Sequence, residues 1–329
     1  MKVGLLYNAK PDGVEHPAPD DADEEYDHPA TISAIRDALC GLGLTVVPME
    51  ADRRMPGRLE EEGCDFVFNV AEGRGRRCRE AVVPALCELL ELPYTGSDAL
   101  TMAATLDKFV ARRLVSPEVP VARAVLLDGE ESEGELERLC YPAIVKPNDE
   151  GSSKGIRENA VVESAAEARE RARGLREAYG CPVLVEEFLP GIEVTVGIMG
   201  NGPSIEVLGV MEIAPVDADP RFVYSIEVKR DWRRRVGYHV PPRVPSQTLN
   251  EITRHALQAY RILGCRDFAR MDFRLDAAGR ACFLECNPLP GLDPDNSDLV
   301  ILSRSRLTHA ALVQRIFLEA TRRCKVQVR

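Results

Sequence analysis

The chain has 329 residues, 45% hydrophobic and 29% charged, enough for two or three domains with ample core. Its net charge of −11 argues against nucleic acid or an anionic membrane as partner. No apolar run approaches the about 20 residues of a membrane span, and ten scattered cysteines without a C-x-x-C pair read as free thiols of a reducing cytosol.

Met1–Tyr7 lacks a cleavage site of small residues, so Val3–Tyr7 reads as a first strand rather than a signal peptide. A polar, acidic loop runs from Asn8 to Asp27. Pro29 opens a helix whose apolar face is Ile32, Ile35, Leu39 and Leu42, with Gly41 and Gly43 at its end. Leu44–Pro48 and Phe66–Val70 are the next strands, and this alternation implies a parallel sheet. Ligands bind beyond the carboxyl ends of such strands. Glu25 and Asp27 precede the first helix and Glu72 follows the third strand. They stand at a candidate substrate edge, or else in a solvated loop. The basic clusters Arg74–Arg79 and Arg233–Arg235 are solvated faces or binders of phosphate or carboxylate.

Ala81–Leu92 reads as a helix with Pro84 in its first turn, and Ala103–Leu114 as another, containing Asp107 and Lys108. Strands over Val121–Leu127 and Ala143–Lys146 flank an acidic helix at 130–139. Pro147–Gly155, PNDEGSSKG, follows. Its small residues let backbone N–H groups close around phosphate oxygens, and Lys146 adds a point charge. The G-x-x-x-x-G-K-[ST] spacing is absent. Ser164–Tyr179 is a charged, exposed helix. Val183–Leu189 and Ile192–Met199 are strands around the turn pair Pro190-Gly191. Ser204–Ile213 and Val223–Lys229 continue a sheet, with Glu227 and Lys229 on one face. Thr248 and Glu251 have capping-box spacing, ahead of a helix lined by Leu249, Ile252, Ala256, Tyr260 and Leu263 and closed by Gly264.

Phe268–Ser297 reads as a hairpin and a loop. In ARMDFRL, Arg270, Asp272 and Arg274 share one face and Met271, Phe273 and Leu275 the other. Asp276–Gly279 supply the turn. In CFLECN, Glu285 and Asn287 share a face, as do Cys282 and Cys286, which could face the core. Paired, the strands bring Asp272, Glu285 and Asn287 together. Two carboxylates and an amide oxygen suit a hard cation such as Mg²⁺; the alternative is a solvated polar face.

Together these segments resemble the ATP-grasp superfamily, in its D-alanine–D-alanine ligase branch, over nearly the whole chain. The residues concerned are FNVAEG with LPYTGS, LDK at 106–108, VKPNDEGSSKGI at 145–156, VEEFLPGIEVTV at 185–196, ARMDF at 269–273 and LECNPLPG at 284–291. The resemblance implies an α/β protein of ATP-grasp fold behind an N-terminal Rossmann-like parallel-sheet domain, divided at 1–103, 104–186 and 187–329. It implies ATP with one or two Mg²⁺ ions, Mn²⁺ as substitute, at Asp272, Glu285 and Asn287. It also implies small carboxylate and amine substrates, a homodimer and a cytoplasmic location.

By the same resemblance Lys108, Lys146 and Lys229 neutralise phosphate charge. Glu150, Gly151, Ser152, Ser153 and Gly155 belong to the loop that covers the phosphates. Glu186, Glu187, Phe188 and Leu189 line adenine, and Glu193 binds the ribose hydroxyls. Arg270 and the Gly291 amide stabilise an oxyanion, with Lys229, Ser152 and Ser153 completing the catalytic set. Glu25 holds the amino group of the first substrate, with Tyr26 and Asp27 competing for that place, and Ser297 matches a carboxylate-binding serine.

The chain departs from the family's pattern at three places. Glu72-Gly73 replaces His-Gly, Arg230 replaces a lid tyrosine, and Asp293–Asn296 adds acids beside the acceptor site. Arg230 at a lid position either clamps a substrate carboxylate or faces solvent. The implied activity is ATP-dependent carboxylate–amine ligation through an acyl phosphate, on amino acids other than two D-alanines. True D-alanine–D-alanine ligation, cyclisation of a single substrate and a non-catalytic ATP-binding sensor are the alternatives.

Overall fold

The computed structural model describes residues 1–11, 19–75, 77–217 and 219–327; part of the Asn8–Asp27 loop, and Arg76 of the arginine cluster, lie outside the described residues. The first sheet holds β1 (Lys2–Tyr7), β2 (Thr45–Glu50) and β3 (Phe66–Asn69) in the order β2-β1-β3, all parallel. α1 (Pro29–Cys40) begins at Pro29, as the sequence predicts, and buries Ile32, Ile35 and Leu39. α2 (Met55–Glu61) and α3 (Val82–Leu89) cover the other face, and every residue of β3 is buried, as a strand covered on both sides requires.

The helix expected over Ala103–Leu114 is two helices, α4 (Ala99–Leu106) and α5 (Lys108–Val115). Asp107 breaks them: its backbone is extended and its carboxylate accepts the Val110 N–H at 3.0 Å, a cap that ends one helix and starts the next.

The second sheet is antiparallel, β4 (Ala124–Leu127), β5 (Ala143–Pro147), β6 (Val161–Val162) and β7 (Val183–Glu187), in the order β4-β7-β5-β6. Its connection over Glu130–Arg138 is a 3₁₀ helix. α6 (Ala165–Tyr179) is charged but not wholly exposed: Ala165, Ala168, Ala172 and Leu175 form a buried stripe against this sheet.

The third sheet is also antiparallel. It contains β8 (Glu193–Met199), β9 (Glu206–Pro215), β10 (Val236–His239), β11 (Phe268–Leu275) and β12 (Ala281–Asn287), in the order β10-β9-β8-β11-β12. Between β9 and β10 lie α7 (Ile226–Arg230) and α8 (Trp232–Arg235). The strand predicted over Val223–Lys229 is therefore a short helix. Ser225 caps it by accepting the Val228 N–H, and Glu227 in the first turn with Lys229 and Arg230 in the last complements the helix dipole.

α9 (Ser246–Ile262) starts directly after Pro245, so Thr248 and Glu251 fall inside its first turns and form no capping box. α10 (Asp298–Ser303) and α11 (His309–Cys324) complete the chain. α11 returns to α1, and Phe317 meets Phe66 edge-on at 5.1 Å.

The β11–β12 pairing slips between Asp272 and Phe273. Cys282 therefore pairs with Arg274 and Cys286 with Met271, on opposite faces of the hairpin, contrary to the expected shared face. The slip keeps Met271, Phe273, Phe283 and Cys286 in the core while Asp272 and Glu285 stand side by side on the other face. Among the described residues no helix is long and apolar enough to cross a membrane.

Candidate active site

The second and third sheets close on a cleft whose lining includes Lys146, Glu186, Glu187, Phe188, Leu189 and Glu193. Glu186, on β7, is buried between Lys146 and Arg112, each 2.6 Å away. Burial opposes ionisation of Glu186, but Arg112 and Lys146 outweigh it and lower its pKa. Glu193, on β8, pairs with Arg274 at 3.2 Å, yet burial still lifts it to about 7. Arg274 also lies over the Phe188 ring, 4.6 Å from its centroid. This wall pairs carboxylates, which accept hydrogen bonds, with an apolar hinge at 188–189, chemistry suited to a base and a ribose.

The Pro147–Gly155 loop projects over the cleft through Ser152 and Ser153. Both have left-handed backbones, φ 49° and 60°. Gly155, φ 73°, admits no side chain, since a Cβ would meet Pro147 at 2.5 Å. Ser153 Oγ donates to the Tyr224 carbonyl at 2.9 Å. Two loop amides are already taken by carboxylates: Gly151 N–H donates to Glu25 at 2.6 Å and Gly155 N–H to Asp21 at 3.0 Å. Lys108, Glu150, Gly151 and Gly155 stand outside the cleft lining. Lys108 Nζ still reaches the Glu150 carbonyl and lies 3.3 Å from Glu285.

Asp272 and Glu285 are direct cross-strand partners, and Arg270 pairs with Asn287. Burial opposes ionisation of Glu285, but Lys108, Lys146 and Arg270 outweigh it and hold its carboxyl at about 2. Burial pushes the Asp272 carboxyl up, against the Arg270 guanidinium, and Thr195 Oγ1 donates to it at 2.6 Å. Among the described residues no cluster of three His, Cys, Asp or Glu side chains forms a metal site. The set is two carboxylates and an amide oxygen, and this all-oxygen chemistry fits a hard divalent cation.

A second cavity opens beside the first and shares with it Ser152, Tyr224, Lys229, Arg270, Asn287 and Asp298. Glu25, Asp27, Glu72, Arg230, Arg270, Gly291 and Ser297 all line it. Lys229 reaches it from α7, and its ammonium has no hydrogen bond or ion pair among the described residues; burial lowers its pKa, against the charge of Asp298. Arg270 is held by Asp272 at 2.7 Å and Asp298 at 3.1 Å. Ser297 Oγ accepts the Asp293 N–H at 2.8 Å and faces Gly291.

Arg230 pairs with Asp20 at 2.8 Å and Glu24 at 3.1 Å, so two acids of the N-terminal loop hold it. Asp293 lines the cavity and accepts the Thr31 hydroxyl at 2.8 Å, while Asp295 is exposed.

Several residues of this site have no separate sequence signal. Arg79 looks like one of a solvated run but is buried against Glu25 at 2.7 Å. Lys154 joins the same pair at 3.3 Å. Asp298 lies in the first turn of α10 and Thr195 on β8, and neither position stands out in its local pattern.

A cleft between two antiparallel sheets, lined by Lys146, Lys229 and the Asp272 and Glu285 carboxylates of the β11–β12 hairpin, is the layout of an ATP-grasp enzyme. The family model described as D-ala D-ala ligase C-terminus matches residues 119–317. The D-alanine–D-alanine ligase of Geobacter sulfurreducens is 31% identical over 309 residues, 90% of each chain. That of Aquifex aeolicus is 34% identical over 265 residues, 80% of this chain and 84% of its own. A Bacillus anthracis D-alanine–D-alanine ligase structure complexed with ATP matches the fold with a TM-score of 0.75 at 20% identity, covering 99% of both chains. VanG D-Ala:D-Ser ligase from Enterococcus faecalis matches with 0.72 at 20% identity, covering 97% of this chain and 99% of its own. The chain belongs to the D-alanine–D-alanine ligase family, and is an ATP-dependent ligase that joins a carboxylate and an amine.

Proposed function

We propose that this ligase forms a dipeptide or amide from amino-acid substrates other than two D-alanines. The observation that supports it is the second cavity, joined to the first, whose lining contains all three departures from the family's pattern, Glu72, Arg230 and Asp293. The donor carboxylate attacks the γ-phosphorus of ATP and ADP leaves, giving an acyl phosphate. The amine of the second substrate then attacks the acyl carbon, loses a proton, and phosphate departs with the bonding pair. Such transfers need positioning and charge neutralisation above all.

Lys108, Lys146 and Lys229 would neutralise the phosphates. Asp272, Glu285 and Asn287 would hold one or two Mg²⁺ ions, whose charge draws electron density from the phosphate oxygens. Arg270 and the Gly291 N–H would stabilise the tetrahedral oxyanion, worth about 3 kcal/mol per donor. Ser152 and Ser153 would close over the acyl phosphate and keep water out. The lobes would divide at 1–103, 104–186 and 187–329, and the free thiols suit a cytoplasmic setting.

The test is Mg²⁺-dependent phosphate release from ATP with L- and D-amino acids, singly and in pairs, with mass spectrometry of products. A mixed amide supports the proposal. D-alanyl-D-alanine as the preferred product would return the chain to the activity named for its relatives from Geobacter sulfurreducens and Aquifex aeolicus.

A further inference from the structure

The substrate cavity has a charge pattern that the reaction leaves unused. Most of its ionised groups are already matched. Glu25 is filled by Arg79 at 2.7 Å, Lys154 at 3.3 Å and the Gly151 N–H at 2.6 Å. Lys10 and Arg230 share Glu24, at 3.7 and 3.1 Å. Arg270 takes Asp298, and Asp293 is occupied by Thr31 and two loop amides.

Glu72 and Asp27 differ from these. Both line the cavity, and neither carboxylate has a hydrogen bond or ion pair among the described residues. Glu72 is partly buried, and its carboxyl is raised well above the usual range by desolvation and by Glu80 and Glu25, which outweigh Arg79. Asp27 is lifted to about 7 by burial and by Asp293. Partly buried carboxylates with no direct ion-pair partner are costly to ionise, and a bound cation removes that cost.

Every amino-acid donor brings one α-ammonium. Glu25, saturated by two cations and an amide, is a poor seat for it, whereas the two open carboxylates offer places for two positive charges. We propose that the donor substrate carries a second cation, a side-chain ammonium or guanidinium, and that Glu72 and Asp27 divide its two positive charges between them. The proposal rests on the ligase reading above and names the class of its donor: diamino or guanidino acids.

The test compares alanine, 2,4-diaminobutyrate, ornithine, lysine and arginine, each enantiomer, as donors in the ATP- and Mg²⁺-dependent assay with product mass spectrometry. The expected result is at least about a tenfold higher kcat/KM for a dicationic donor, carried by KM. Glu72→Gln, close to isosteric, should erase that preference while leaving the KM for ATP unchanged. Amide formation with alanine as efficient as with every dicationic donor would overturn the proposal, as would an undiminished preference in Glu72→Gln. Absence of amide product from all pairs would overturn the ligase reading instead. Calorimetric titration of the same amino acids into the protein with a non-hydrolysable ATP analogue and Mg²⁺ then decides the cation preference separately: tighter dicationic binding upholds it and equal affinities end it.

Discussion

Arg79 and Glu25, 54 residues apart, form a buried ion pair at 2.7 Å, and a second Arg79 nitrogen donates to the Asp149 carbonyl at 2.8 Å. One guanidinium thus ties the first sheet's loops to the start of the Pro147–Gly155 loop. Burial opposes the charge on Glu25, but Arg79 and Lys154 outweigh it and lower its pKa. Arg79→Met would strand part of that negative charge. It should cost about 3 kcal/mol, as loss of one member of a buried pair does. Glu25→Gln in the same background should recover part of the loss. Urea unfolding of the single and double variants checks this, and strictly additive losses would show that the two side chains do not act on each other.

Asp27 gives a pH prediction of definite sign. Its carboxyl lies at about 7 in the folded protein, against 3.8 ordinarily, because of burial and Asp293. Between pH 4 and 7 the unfolded chain releases a proton that the folded chain keeps. This residue's contribution to stability is therefore full below pH 4, falls through that window and is flat above 7. Asp27→Asn should stabilise the protein at pH 8, by roughly 1–2 kcal/mol after screening by the open cavity, and change little at pH 4. Thermal melts at the two pH values read the difference; an equal shift at both would mean that ionisation is not the cause.

What the sequence makes legible follows from the range of the forces involved. The hairpin carrying Asp272, Glu285 and Asn287 is visible because a period of two and a turn are local. The three parallel strands are visible for the same reason. YSIEVKR misleads because it alternates like a strand, while the Ser225 cap and the charged ends favour a helix, and no count of apolar residues weighs the two. The split at Asp107 depends on one side chain accepting an N–H three residues on. Arg79 is hidden because its partners Glu25 and Asp149 come from distant loops, and only the fold distinguishes it from its exposed neighbours Arg74 and Arg77.

Asp21 carries a prediction about the Pro147–Gly155 loop. It is fully buried, accepts the Gly155 N–H at 3.0 Å and the Tyr179 hydroxyl at 2.8 Å, and pairs with Arg157 at 3.2 Å. It is thus a positioning residue for a loop that contains two strained serines. Asp21→Asn should raise the KM for ATP several-fold and increase the share of ATP hydrolysed without amide formation, because a looser loop admits water to the acyl phosphate. The ratio of phosphate released to amide formed is the readout. A variant that loses rate at an unchanged ratio would indicate general destabilisation rather than a leaking loop.

The oxygen-ligand hairpin predicts how nucleotide binding responds to metal. Lys108, Lys146 and Arg270 surround Glu285 and hold its carboxyl ionised at about 2, so at neutral pH it is a ready ligand for a hard cation. A ligand that binds only the folded state stabilises it by about 2.7 kcal/mol at a hundredfold excess over its Kd. A non-hydrolysable ATP analogue with Mg²⁺ should therefore raise the melting temperature clearly, and chelation by EDTA should remove most of the rise. Glu285→Gln should blunt the response to Mg²⁺ while keeping the smaller rise produced by nucleotide alone, since the proposed phosphate contacts of Lys108 and Lys146 do not need the Glu285 carboxylate. Differential scanning calorimetry of both proteins, with and without EDTA, separates the metal contribution from that of the lysines. An equal rise in wild type with and without EDTA would remove Asp272, Glu285 and Asn287 from the nucleotide-binding step.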